Sequence, residues 1–162
     1  MRLKLITLTA MMASLCVIGS FIKVPGPIGS AALDSAPAFI AVAILPPVFA
    51  SIAGLIGHLA TALTSGMPLG PFHFLIAAEM FVIVLVFAQL HHKQYNTIKW
   101  LFLIVANGII APLPFYFVIS PAFYVGAVPS LVVATLINAI VAWMTIPLIE
   151  KAKIRIGGNT NA

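Results

Sequence analysis

The sequence predicts an all-α membrane protein: six transmembrane helices in a compact bundle, with both termini cytoplasmic. Three observations lead there. The 162 residues are 62% hydrophobic and only 7% charged, too few charges to cover a soluble surface. The apolar residues come in runs long enough to cross a bilayer, which takes about 20 residues per helix. Basic residues cluster at alternate connections, the pattern that marks cytoplasmic loops.

The first span covers residues 3–22. The stretch KVPGPIGSAALDS follows, and its prolines and glycines resist helix. The second span, residues 34–45, is short and ends at Pro46-Pro47, which forces a break. The third covers 48–65, GMPLGP turns the chain, and the fourth covers 71–90 with Pro71 at its first turn, where a helix tolerates proline. The fifth covers 98–119 and the sixth 126–149. Residues 1–155 form one membrane domain. Residues 156–162, with GGNTNA, read as a disordered tail.

With six spans and a cytoplasmic start, the inner segments hold Arg2, Lys4, Lys93, Lys99, Lys151, Lys153 and Arg155. Only Lys23 is left outside. The outer loops are then 23–33, 66–70 and 120–125. Removing the first span as a signal peptide would spoil this topology, so cleavage is not expected. Cys16, the single cysteine, excludes an internal disulfide framework, and Leu15 before it does not suit a lipoprotein signal. The short basic edges offer no readable face to nucleic acid.

The scarce polar groups gather in GHLATALTSGMPLGPFHFLIAAEM, residues 57–80. Ser51, Gly54, His58, Thr61 and Ser65 share one face of span three. Small residues there suit close helix packing. An imidazole needs a polar network or a cavity, because lipid would leave it unpaired. His73 lies one turn into span four, where interfacial water is the alternative to a binding role. Glu79 lies about 12 Å below the start of span four by helical rise. A carboxyl at that depth is paired, protonated or in a wet cavity, and is a functional candidate. Asp34 reads either as an N-cap of span two or as a cavity-mouth residue. Lys23 reads as its partner, an anion binder or a snorkelling cation. Asn107 on span five and Asn138 on span six need partners in mid-membrane, either each other or a shared cavity. Ser130, Ala134 and Thr145 share the face of Asn138. Pro112 and Pro114 loosen the outer half of span five. Tyr116, Phe123 and Tyr124 cluster at its outer end, either as an aromatic belt or as rings that stack on a planar ligand.

No catalytic motif appears, so no enzyme is expected; neither is a cofactor or a metal. A bis-histidine haem site would need matching depth, and His58 and His73 read as lying at different depths. The pattern is a polar-lined pocket opening outward, without energy-converting machinery of its own.

The stretches FIKVPGPIGSAALDSAPAF and GHLATALTSGMPLGPFHFLIAAEM, in a chain of six short spans, resemble the substrate-binding S components of energy-coupling factor (ECF) transporters. The resemblance runs over residues 3–153 and is most like the subgroup that imports alpha-ribazole, a cobalamin precursor. It implies high-affinity capture of a vitamin or precursor from outside, with a membrane T component and two cytoplasmic ATPases as partners in the lipid bilayer. ATP hydrolysis by those partners would topple the S component and release the solute. An Ala-x-x-x-Ala pattern on span one usually meets the T component. This sequence offers Thr9 with Ala13 and Ala10 with Ser14 in its place. The subgroup implies a benzimidazole stacked on a ring or on Met67, and ribose hydroxyls bonded to Asp34, His58, His73 or Asn138. Two other classes stay open from the residues alone: a self-sufficient secondary transporter using Glu79 and His58, and a non-transporting assembly subunit.

Overall fold

A computed structural model describes residues 2–25 and 30–158. Among the described residues, seven α-helices make the bundle: α1 (Arg2–Gly19), α2 (Ala36–Ala41), α3 (Pro47–Thr64), α4 (Phe72–His92), α5 (Ile98–Val105), α6 (Pro114–Val118) and α7 (Pro121–Gly158). Two three-residue strands, β1 (Lys23–Pro25) and β2 (Ser30–Ala32), pair antiparallel between α1 and α2. A π-helical turn, Ala106–Ile110, joins α5 towards α6.

Among the described residues, five stretches are long and apolar enough to cross a membrane: α1, α3, α4, residues Ile98–Val118 and Pro121–Lys153. Large apolar side chains such as Leu3, Phe117 and Leu148 stay exposed on the bundle's outside, as they would against lipid. The expected second span is the exception. Its helix has only six residues and starts at Ala36, not Asp34. The reason is where the chain already stands at residue 36. The Ala36 N–H donates to Asn138 Oδ1 at 2.7 Å, and Asn138 lies midway along α7. By residues 42 and 43 the chain has reached the far end, where Lys153 Nζ donates to the Ala43 carbonyl at 2.9 Å. The β-hairpin folds inward and covers the first half of the crossing. A half-length helix covers the rest.

That short segment is the centre of the core. Ala38, Phe39 and Ala41 are fully buried. The Phe39 ring meets Phe87 edge-on at 5.2 Å, and Phe87 meets Trp100 at 5.1 Å. Glycines let neighbouring helices close on it. A Cβ at Gly57 of α3 would fall 2.5 Å from Cys16 Cβ of α1, so only glycine permits that approach. Gly54, on the same stripe, packs against Val84 and Ala38. Ser51 is buried and bonds the Pro47 carbonyl. This lower half of the α3 stripe serves packing.

The prolines divide span five. Pro112 has no N–H to continue the ladder. The chain widens into the π turn, closed by the Ala111 N–H on the Ala106 carbonyl at 2.8 Å, and restarts at Pro114. Span six is longer than the sequence suggests. α7 begins at Pro121, so most of the expected 120–125 loop is helical, and Pro129 and Pro147 lie inside the helix. It runs on through Gly158, so residues 156–158 are helical where a disordered tail was expected, and 159–162 lie outside the described residues.

Candidate functional site

A cavity of about 850 Å³ opens between the hairpin, α3, α4, the π turn and α7. Its volume lies in the range of small-molecule sites, about 300–1,000 Å³. Asp34, His58, His73, Glu79, Asn107 and Asn138 all line it. These six expected residues come from five different parts of the chain. Ser20, Thr61, Ser130 and Thr135 add hydroxyls, and Phe21, Phe115 and Phe123 add rings.

The polar groups are unequally engaged. Asn138 is 2% exposed and fully occupied. Its Oδ1 accepts the Ala36 N–H, and its Nδ2 donates to the carbonyls of Ala134 at 2.9 Å and Ala32 at 3.3 Å. It clamps the hairpin and the start of α2 to α7. Asp34 therefore does not cap α2: the N-cap position is Ser35, without a side-chain cap bond, and Asn138 takes the first helical N–H. Asn107 Nδ2 donates to Thr135 Oγ1 at 2.8 Å, so the two asparagines do not pair with each other. The π turn brings Asn107 there, helped by Gly108, whose missing Cβ admits Val132.

Asp34 lies outside the five membrane-length helices, in the connection from β2 to α2. Lys23 makes no ion pair with Asp34 among the described residues and instead reaches Ser65 Oγ at 3.4 Å. That bond ties the hairpin to the end of α3 across the cavity mouth.

His58 and His73 are neighbours, not residues at separate depths. His58 Nε2 and His73 Nδ1 are 3.2 Å apart, and the rings tilt at 40°. A direct nitrogen–nitrogen hydrogen bond leaves no room for a metal between them. Among the described residues, no group of three metal-binding side chains occurs. His73 Nε2 also lies 3.3 Å from the Leu69 N–H. Glu79 is half-buried and lines the cavity, and its Oε2 is sealed without any hydrogen-bond partner. Thr61 Oγ1, beside Asp34, is the other sealed oxygen without a well-aligned partner. An unmet buried oxygen costs about 1–3 kcal/mol, and both stand in residues of the cavity wall.

Several expected residues lie elsewhere. Tyr124 is not among the cavity residues: its hydroxyl donates to the Ile109 carbonyl at 3.2 Å, and its ring meets Tyr116 edge-on. Met67 is likewise outside, at a backbone φ of 52° in the tight 66–70 turn, whose Pro68 and Leu69 face the cavity instead. Thr145 lies beyond the cavity and bonds its own helix at the Val141 carbonyl. Thr9 and Ala13 are buried inside the chain, while Ala10 and Ser14 face outward. Only the second pair is free to meet another protein. Thr135 and Phe115 are among the lining residues that the sequence did not single out. Thr135 stands three residues before Asn138, on the same helical face, and that spacing was the available signal. Phe115 reaches the cavity only because the π turn re-aims α6.

A family model described as "ECF transporter, substrate-specific component" matches residues 4–159. The chain belongs to that family. It is therefore a multi-pass cell-membrane protein and the substrate-specific subunit of an ECF transporter. Membership implies a small-molecule substrate, a membrane T component and ATPase partners; S components are transport subunits, not enzymes. No curated protein and no solved structure matches the chain.

Proposed function

We propose that this S component captures alpha-ribazole, or a closely related cobalamin precursor, from the outer side of the membrane. ATP hydrolysis by its partners, a T component and two ATPases, then topples the S component and releases the solute inside. The observation that carries the reading is the mixed lining of the cavity. It holds the rings of Phe21, Phe115 and Phe123 together with the polar side chains of Asp34, His58 and Glu79. A flat apolar base joined to a hydroxylated sugar offers the same two kinds of surface. Stacking suits Phe115 and Phe123, whose rings meet at 6.1 Å, better than Met67 or Tyr124. The ribose hydroxyls are assigned to Asp34 and Glu79, and the base edge to His58, with His73 behind it. Asn107 holds the wall and Asn138 supports the hairpin. The resemblance of ALDSAPA and SGMPLGPFHF to the alpha-ribazole subgroup supports the same substrate.

The orientation follows the charges. Lys93, Lys99, Lys151 and Lys153 lie at the end opposite the cavity, so that end is cytoplasmic and both termini with it. Ala10 and Ser14 are the exposed small pair on α1 for the T component.

The test is a thermal-shift titration of the detergent-purified chain. A ligand that binds only the folded state stabilises it by about 2.7 kcal/mol at a hundredfold excess over Kd. Saturable stabilisation by alpha-ribazole is expected. Stabilisation by a different vitamin, with none by alpha-ribazole, overturns the substrate and keeps the family.

A further inference from the structure

The hydrogen bonds around His73 set which nitrogen of each cavity histidine carries a proton. The Leu69 amide can only donate, and it points at His73 Nε2 at 3.3 Å. That nitrogen must therefore present its lone pair, and a neutral His73 carries its proton on Nδ1. His73 Nδ1 lies 3.2 Å from His58 Nε2, so His58 Nε2 must accept. The proton of His58 is then on its Nδ1. A second proton on either ring would set N–H against N–H at one of these two contacts, so the pair is neutral while both bonds stand.

The amide is held in place by its own turn. Gly66, Met67 and Gly70 all take left-handed φ values, 79°, 52° and 54°. The Met67 N–H bonds the Ala62 carbonyl at 2.8 Å, and the Gly70 N–H bonds the Met67 carbonyl at 2.8 Å. The His73 N–H returns to the Gly70 carbonyl at 3.2 Å. The turn is closed onto both helices it joins, and Leu69 cannot swing away without breaking it.

His58 Nδ1 makes no hydrogen bond within the protein among the described residues. It is also not sealed: the enclosed side-chain polar atoms without a partner there are Thr61 Oγ1 and Glu79 Oε2. With His58 lining the cavity, its Nδ1–H is a free donor that opens onto it.

We infer that the 66–70 turn, acting through His73, locks His58 as a hydrogen-bond donor, and that this S component selects solutes presenting an uncharged acceptor there, an aromatic ring nitrogen above all. The turn and His73 are positioning elements; His58 is the residue that reads the ligand. The identity of the ring nitrogen rests on the proposed function, where it is the unsubstituted nitrogen of the benzimidazole. The tautomer does not rest on it.

The experiment is nitrogen-15 NMR of the full chain with labelled histidine, in detergent at neutral pH. Signals are assigned with His58→Asn and His73→Asn, and the tautomers are read on the unsubstituted protein, so a folding defect in a variant does not decide the result. Without ligand, both rings should be neutral with the proton on Nδ1; a proton on Nε2 of either ring, or a charged ring, overturns the inference. His73→Phe should release His58 into a tautomer mixture, and an unchanged His58 signal would refute the relay. Alpha-ribazole should then move the His58 Nδ1 signal. Its indole analogue, with CH in place of the unsubstituted nitrogen, should bind at least about tenfold more weakly, about 1.4 kcal/mol. Equal binding of the two overturns the acceptor requirement. Locked tautomers with no binding of alpha-ribazole uphold the donor and remove the proposed substrate instead.

Discussion

Replacing Asn138 with leucine tests whether one side chain sets the position of the hairpin and α2. The two side chains share a branched skeleton of four heavy atoms, so the change chiefly removes hydrogen bonds. What is lost is specific. The Ala36 N–H, on a residue 5% exposed, loses its 2.7 Å acceptor, and the Ala32 carbonyl loses its 3.3 Å donor. The Ala134 carbonyl loses only a side-chain bond from the next turn of its own helix. A buried donor left unmet costs about 1–3 kcal/mol, and leucine recovers little because Asn138 already fills the space. A loss of about 2 kcal/mol lowers Tm by about 4–8 °C in a chain of this size. The assay is intrinsic fluorescence melting in detergent, with Trp100 and Trp143 as reporters. Thr145→Val is the control: its hydroxyl bonds only its own helix, at Val141, and a shift within about 0.5 kcal/mol is expected. Ligand affinity should also fall in Asn138→Leu, because the hairpin carries Asp34. If Asn138→Leu melts with the Thr145→Val control, the clamp is not what holds the short segment at mid-depth, and the account of the missing long second helix fails.

Two further outcomes follow from other contacts. Gly57→Ala should destabilise by about 1–3 kcal/mol, since the new Cβ falls 2.5 Å from Cys16 Cβ, and Cys16→Gly in the same chain should restore part of the loss; additive effects would refute the contact. Ala10→Trp, on the outward face of α1, should abolish co-purification with the T component and ATPases while leaving ligand-induced stabilisation unchanged, whereas Ala13→Trp should impair folding itself; intact assembly with Ala10→Trp would refute the contact face.

Much of this was legible in the sequence because it rests on local pattern. Composition and run length determined a multi-pass membrane bundle, since apolar helix is one of the few ways a backbone can satisfy itself in lipid. The rarity of polar groups within those runs singled out Asp34, His58, His73, Glu79, Asn107 and Asn138, because an unpaired polar group there is too costly to keep without use. The spacing of α3 placed Ser51 and His58 on one stripe. It could not show that the stripe changes role halfway, from packing against Val84 and Ala38 to lining a cavity.

Tertiary structure decided the rest. The second crossing is half hairpin and half helix because Asn138, 102 residues away, supplies the N–H partner that lets α2 begin at mid-depth. His58 and His73 touch because the 66–70 turn folds α4 back against α3, a geometry set by three left-handed residues and not by helical rise. Met67 misses the cavity because the 66–70 turn faces it with Pro68 and Leu69 instead, Tyr124 is held on the Ile109 carbonyl of the π turn, and Phe115 lines the cavity beside Phe123. Thr9 and Ala13 face inward because Gly57 lets α3 lie directly on α1. Periodicity tells which residues share a face. Only the packing of remote segments tells what each face meets, because those contacts depend on side chains that no local window contains.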